Sequence, residues 1–216
     1  MTQSPVYYGW VILGVGTLGL TMTGPGQTYG VSIFIEHFMR DLGLSRARVS
    51  LLYMIGTMSA SLVLPCVGRQ IDRWGSRRLI VIIAILFGLA CVYMGFVRSA
   101  AMLGVGFFTL RLLGQGSLSL VSRIVINQWW VRRRGLANGI VGMGYALIGR
   151  ATFPLLLNAL IPMIGWRETY ACLGAALLCG MAPIGWLLVR NRPEEYGLQP
   201  DGQSSRRRTR SRYAAQ

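Results

Sequence analysis

The chain contains no lysine: all 22 basic residues are arginine, set against seven acids and a single histidine. We read the choice of arginine as codon usage in a GC-rich genome. The scarcity of charge excludes more. Charged residues make up 13% of the chain and hydrophobic residues 53%, where a soluble domain carries about 25% charged residues. No Asp or Glu lies within a long apolar run, so no carboxylate pair is available at depth for acid–base chemistry. No Ser/His/Asp set and no phosphate-cradling glycine loop after a strand is present either. His37 has no second histidine beside it. Cys66, Cys91, Cys172 and Cys179 fall inside apolar runs without metal-ligand spacing and are expected to be small buried hydrophobes. Neither an enzyme, nor a metal site, nor a cofactor is expected. A net charge of +15 would point to nucleic acid in a soluble chain. Here the arginines are confined to short gaps and the tail, so they are read as membrane topology and no nucleic-acid partner is expected.

What is present is long apolar sequence. A membrane helix needs about 20 mostly apolar residues, and six stretches qualify, at about 8–35, 49–67, 79–97, 101–126, 136–161 and 169–189. Together they predict an all-α membrane bundle over 8–189, after a short N-terminus (1–7) and before a basic tail or linker (190–216), expected to be disordered. The first stretch is longer than needed and carries a polar, Gly/Pro-rich centre from Thr21 to Thr28, including Gln27. Such a break is tolerated only where protein or a water-filled cavity satisfies the freed backbone. A loop from Glu36 to Arg48 follows, with Ser45 as N-cap of the next helix. The third stretch is almost purely aliphatic and is expected to face lipid. The fifth is rich in glycine, which permits close helix approach, and Gly165 to Glu168 makes a short loop before the sixth.

The arginines are unevenly distributed over the connections. Those after the second and fourth stretches, with the tail, hold fourteen, against five in the others and three within the spans, Arg111, Arg123 and Arg150. The positive-inside bias then predicts both termini in the cytoplasm, and a bacterial inner membrane is the expected location.

Charge at depth costs about 2.5–3.5 kcal/mol on insertion scales and marks functional candidates. Arg111 lies roughly 16 Å along its helix from the Arg98-Ser99 turn, near the expected midplane. Gln115, Ser119 and Ser122 follow at helical spacing, so this span has a polar stripe. Arg111 either lines a pathway with them or pairs with carbonyls of the broken first helix. Arg123 is close enough to the interface to snorkel. Arg150 sits deep in the glycine-rich span, either binding an anion or simply facing a cavity. With no deep acid to pair them, Arg111 and Arg150 predict a small anionic ligand, or acids supplied by another part of the protein. The arginine cluster from Arg206 to Arg212 is read as linker in preference to a site for anionic headgroups.

Between the second and third spans lies Gly68-Arg69-Gln70-Ile71-Asp72-Arg73-Trp74-Gly75-Ser76-Arg77-Arg78, read as a tight hydrophilic loop. It matches, at Gly68, Asp72, Arg73, Gly75, Arg77 and Arg78, the loop signature G-x-x-x-D-R-x-G-x-R-R. Arg111-Leu112-Leu113-Gly114-Gln115-Gly116 is similar to the fourth-helix signature R-x-x-x-Q-G. On these motifs the chain resembles the amino-terminal half of a major facilitator superfamily transporter. Tyr8-Gly9-Trp10-Val11, the stretch from Trp129 to Gly139, Gly165-Trp166-Arg167-Glu168 and the stretch from Arg192 to Gly202 resemble the monocarboxylate and oxalate/formate branch.

The resemblance implies six helices as two inverted three-helix repeats, and secondary transport of small organic anions by alternating access, by proton coupling or exchange. It places Gln27, Thr28, Arg111, Gln115, Ser119 and Arg150 along the substrate pathway. It gives Gly68 and Gly75 tight turns, Asp72 a pairing role, and Arg73, Arg77 and Arg78 partners or headgroup contacts, in a cytoplasmic gate. The family's transporters have twelve helices. One half alone implies a second copy, a separate second half, or truncation, the reading taken here. A transporter of drugs or sugars, or a non-transporting scaffold, are the alternatives. Arg150 departs from the small residues the branch usually places there.

Overall fold

A computed structural model describes residues 7–196 and 198–202, and the described residues are helical with no strand. The arginine cluster of the tail and the first six residues lie outside the described residues.

The first apolar stretch is broken as its composition predicts. Helix α1 (Gly9–Thr21) and helix α2 (Thr28–Leu42) are joined through a single tight turn at Gly24–Gly26. Pro25 has no N–H to give to a helical ladder. Gly26 lies against the carbonyl of Leu110, and a β-carbon there would come within 3.1 Å of the Gly114 Cα. Helix α2 continues past Ile35 to Leu42, so the loop expected over Glu36–Arg48 shrinks to three residues. Its end is set by Gly43 in the left-handed conformation (φ 62°), and Ser45 caps α3 by accepting from the Arg48 N–H.

Helix α3 (Arg46–Trp74) corrects the reading of the basic stretch as a loop. Arg69, Gln70, Ile71, Asp72 and Arg73 are compatible with a helix interior, and Ile71 is buried, so the helix runs on until Gly75. That glycine adopts φ 79° and its N–H closes on the Ile71 carbonyl, a conformation other residues resist. Gly68 is therefore mid-helix and not a turn. Helix α4 (Ser76–Gly95) starts one residue later.

The remaining helices run in longer pairs joined by wide π-helical turns. Helices α5 (Ala100–Leu110) and α6 (Ser119–Trp129) join through 111–118. Helices α7 (Arg134–Gly144) and α8 (Phe153–Ile164) join through 145–152, and α9 (Trp166–Ala176) and α10 (Ala182–Leu188) through 177–181. Gly165, at φ 91°, replaces the loop expected over Gly165–Glu168 and turns α8 directly into α9.

Among the described residues, four helices are long and apolar enough to cross a membrane: Arg46–Trp74, Ser76–Gly95, Arg134–Ile164 and Trp166–Leu188. The first apolar stretch falls outside this set because the Gly-Pro-Gly turn divides it into helices of 13 and 15 residues. The run through α5 and α6 also falls outside it, and there Arg111 and Gln115 interrupt the apolar sequence.

The third stretch buries one face and keeps the other exposed, an aliphatic face of Ile82, Ile85, Leu86 and Leu89. Half of the α4 window is buried, against 11% for α3. Ile80, Ile83, Ala84, Phe87, Cys91 and Met94 point inward, while Met54, Met58 and Leu62 on α3 are exposed. Of the cysteines only Cys91 is buried; Cys66, Cys172 and Cys179 are exposed, so three of the four do not fill the core as expected. The segment after α10 also departs from a disordered linker as far as residue 202. It folds back so that the Asp201 carboxylate accepts the N–H groups of Val131, Arg132 and Arg133 at 3.2, 2.7 and 3.1 Å.

Candidate functional site

Arg111 is the one charged side chain that is buried among the described residues, with 8% exposure. It begins the π-helical turn of 111–118, where each turn accommodates an extra residue. The hydroxyls of Ser117 and Ser119 donate to carbonyls one such turn back, Leu112 O at 2.7 Å and Gly114 O at 3.5 Å. Wide turns of this kind recur at functional sites.

The guanidinium is directed at the break in the first apolar stretch. Its Nη1 donates to the Gly26 carbonyl at 3.2 Å and to Thr28 Oγ1 at 3.4 Å. Thr28 Oγ1 is in turn 3.0 Å from Tyr53 Oη, and the Tyr53 ring lies 5.1 Å from the guanidinium carbon, within cation–π range. Arg111 pairs with a carbonyl of the broken helix, and it also lines a cleft of about 140 Å³ with Thr57, Ser61, Leu64, Gln115 and Gly116. Its Nε has no hydrogen-bond partner among the described residues. No carboxylate pairs with it among the described residues. One neutral carbonyl, one hydroxyl and one aromatic face leave its positive charge uncompensated. The N-terminus of α2 beside it adds a partial positive charge, because Gln27 at its cap makes no side-chain cap bond and donates its Nε2 to Thr23 Oγ1 instead.

The structure thus brings Arg111, Thr28 and Gln115 together, with Gln27 at the adjoining turn and Ser119 two turns further along. Arg150 is not in this cluster. It lies exposed on the π-helical turn between α7 and α8, near enough to Tyr29 to act on it electrostatically. Tyr53, Thr57 and Ser61 were missed by sequence reasoning. Their signal was a polar residue at every fourth position of the second apolar stretch, which helical periodicity places on one face.

A second hollow, of about 400 Å³, opens where α6 ends, between Asn127, Gln128, Arg134, Arg192 and Glu194. Arg134 donates from its guanidinium to the carbonyls of Trp130 and Asn127, and Arg192 and Glu194 both line the hollow.

The expected gate residues fall into two groups. Arg77 is engaged: its Nε donates to Trp186 O at 2.9 Å, its backbone N–H to Asn191 Oδ1 at 3.0 Å, and its guanidinium stacks 4.6 Å from the Trp186 ring. Asp72, Arg73 and Arg78 are exposed, and Asp72 makes no ion pair among the described residues. Asp72 therefore has no arginine partner within this bundle.

A family model described as Major Facilitator Superfamily matches residues 5–213. Among known proteins the chain is 26% identical over 160 residues to a protein of Cupriavidus necator named "Probable sulfoacetate transporter SauU", covering 74% of this chain and 35% of that one. It is 30% identical over 177 residues to human monocarboxylate transporter 6, covering 79% and 34%. It is 28% identical over 195 residues to the oxalate:formate antiporter of Oxalobacter formigenes, covering 88% and 44%. The chain thus spans between a third and a half of the length of these relatives.

Proposed function

Because the chain belongs to the major facilitator superfamily, we propose that it is the six-helix half of a secondary transporter of small organic anions, with monocarboxylates as the leading class. Membership makes it an integral, multi-pass membrane protein, and its relatives are transporters. The observation that carries the substrate class is the buried, uncompensated guanidinium of Arg111 at the broken first helix. A positive charge held in a low-dielectric interior by neutral groups favours an anion strongly. The cleft of about 140 Å³ is small beside the roughly 300–1,000 Å³ of pockets that take drug-sized ligands, which favours a small acid over a drug in this bundle.

The two repeats of this half are α1 to α4 and α5 to α10. Gly75 and Gly165 support that reading, with φ/ψ of 79°/154° and 91°/160° at equivalent turns. The apolar faces of α3 and α7–α8 are the surfaces on which a second six-helix bundle or a second copy packs. Alternating access is the rocking of two such bundles about the Arg111 cleft, with protons or a second anion as the coupled species. Both termini are cytoplasmic in this scheme, in a bacterial inner membrane, and Asp72 meets its partner on the other bundle. Arg150, Gln27 and Ser119 border the pathway on either side of Thr28.

The test is equilibrium binding of labelled oxalate and lactate to the purified chain in lipid nanodiscs. Saturable binding that Arg111→Gln abolishes is expected. Binding unchanged by Arg111→Gln, or absent for both acids, overturns the proposal.

A further inference from the structure

Two short segments, far apart in sequence, repeat one pattern of contacts at opposite ends of one helix pair. In Gly75-Ser76-Arg77, the glycine turns the chain at positive φ and the arginine two residues later reaches the end of α10. In Gly165-Trp166-Arg167, the glycine turns the chain with nearly the same φ and ψ, and the arginine two residues later reaches the end of α4. Arg77 Nε donates to Trp186 O at 2.9 Å, and Arg167 Nη2 donates to Val97 O at 3.2 Å. Each guanidinium also lies against a tryptophan, Arg77 at 4.6 Å from Trp186 and Arg167 at 4.3 Å from Trp166.

The acceptors explain why arginine serves here. Trp186 lies in the last turn of α10 and Val97 just beyond the end of α4, where helical carbonyls have no intrahelical donor and the helix end is partially negative. A guanidinium satisfies such a carbonyl while its plane stacks on an indole, which an ammonium does less well. Each helix thus begins with an arginine that caps the end of the other.

Further contacts bind each end. At the first, Asn191 Oδ1 accepts the Arg77 N–H at 3.0 Å. At the second, Asp41 Oδ2 accepts from both Trp166 Nε1 and Arg167 Nη1 at 2.8 Å. Between the ends the two backbones touch. A β-carbon on Gly88 would lie 3.0 Å from the Gly174 carbonyl oxygen, and one on Gly174 would lie 2.7 Å from that of Gly88. The pair is therefore pinned at both ends and in close backbone approach in the middle, with Leu178 and Val92 packed beside the two glycines.

We propose that Arg77 and Arg167 are reciprocal positioning residues that make α4 and α9–α10 a single rigid strut. Through Asp41, in the last turn of α2, the Arg167 clamp also ties that helix end to the strut, and the π-wound α5–α6 segment is left as the part of the bundle free to change shape around the Arg111 cleft. The inference assigns Arg167, Trp166, Asp41 and Asn191 a role in conformational change. It does not depend on which anion is carried.

The experiment uses the whole 216-residue chain in nanodiscs, with native cysteines replaced and spin labels placed in two pairs. One pair, at Arg78 and Leu187, reports the Arg77 end; the other, at Phe96 and Cys172, the one native cysteine retained for that pair, reports the Arg167 end. All four positions are exposed. Narrow distance distributions are expected in the parent at both ends. Arg77→Gln should at least double the width at its own end and leave the other unchanged, and Arg167→Gln should do the converse. Arg→Lys at either position should restore part of the narrowing. Distributions that stay narrow in both glutamine variants, or that broaden at both ends for either variant, overturn the proposal, the second outcome marking general loosening in place of two separate clamps.

Discussion

The Nη1 of Arg111 donates to the carbonyl of Gly26 across 3.2 Å, although the two residues stand 85 positions apart. This bond joins the break in the first apolar stretch to the π-helical turn of the fourth. It also explains why that carbonyl can be freed from a helix inside a membrane: its missing donor is a buried arginine. The contact depends on close approach of backbones, because Gly26 lies directly against Leu110 O and Gly114.

Gly26→Ala should therefore push the two segments apart. A β-carbon there overlaps the Leu110 carbonyl, which is main chain and cannot rotate away. A loss of about 1–3 kcal/mol in unfolding stability is expected, the usual cost of overpacking, together with weakened oxalate and lactate binding. Thermal unfolding in detergent, followed by the binding assay, measures both. A variant as stable as the parent would show that the approach is looser than described.

Stability should also fall in acid through Asp41. The hydrogen bond from Trp166 Nε1 is the largest effect holding the Asp41 carboxyl below the ordinary carboxylate value; burial, the next largest, opposes it, and the hydrogen bond and charge of Arg167 add to the lowering. Arg40 adds to the lowering at 3.7 Å. A carboxylate with a lowered folded pKa contributes stability that is fully present above its unfolded pKa, about 3.9, and is lost as pH falls through the folded value. Thermal midpoints are expected to hold steady above about pH 5 and to drop below about pH 4. Asp41→Asn should flatten the part of that slope due to this group. An unchanged slope in the variant would place the acid sensitivity elsewhere.

Asp201→Ala should release the segment after α10 from the start of α7. Three consecutive N–H groups, those of Val131, Arg132 and Arg133, lose their acceptor together. A loss of about 0.5–2 kcal/mol is expected, as for removal of a helix cap. Hydrogen exchange should speed up at these three amides and change little at α4. Exchange no faster than in the parent would mean that solvent already replaces the carboxylate.

The sequence by itself determined the apolar runs, the break at Gly24-Pro25-Gly26, the depth of Arg111 and the absence of any acid to neutralise it. Each of these is local: a count of apolar residues, a proline without an N–H, a charge at a known distance along a helix. Tertiary structure decided what the neighbours are. The third apolar stretch looked lipid-facing because it is aliphatic all round, yet lipid and protein interior are equally apolar, so composition cannot separate a central helix from a peripheral one. The close backbone contact of Gly88 with Gly174 buries one face of it, while Ile82, Ile85, Leu86 and Leu89 stay exposed. The stretch from Gly68 to Trp74 looked like a loop because it is charged, but charge marks exposure and not the end of a helix; the chain turns only where Gly75 supplies a positive φ. Asp72 and Arg77 stand five residues apart in one motif, and only packing separates them. Arg77 finds a carbonyl 109 positions away, and Asp72 remains exposed on the surface of the bundle.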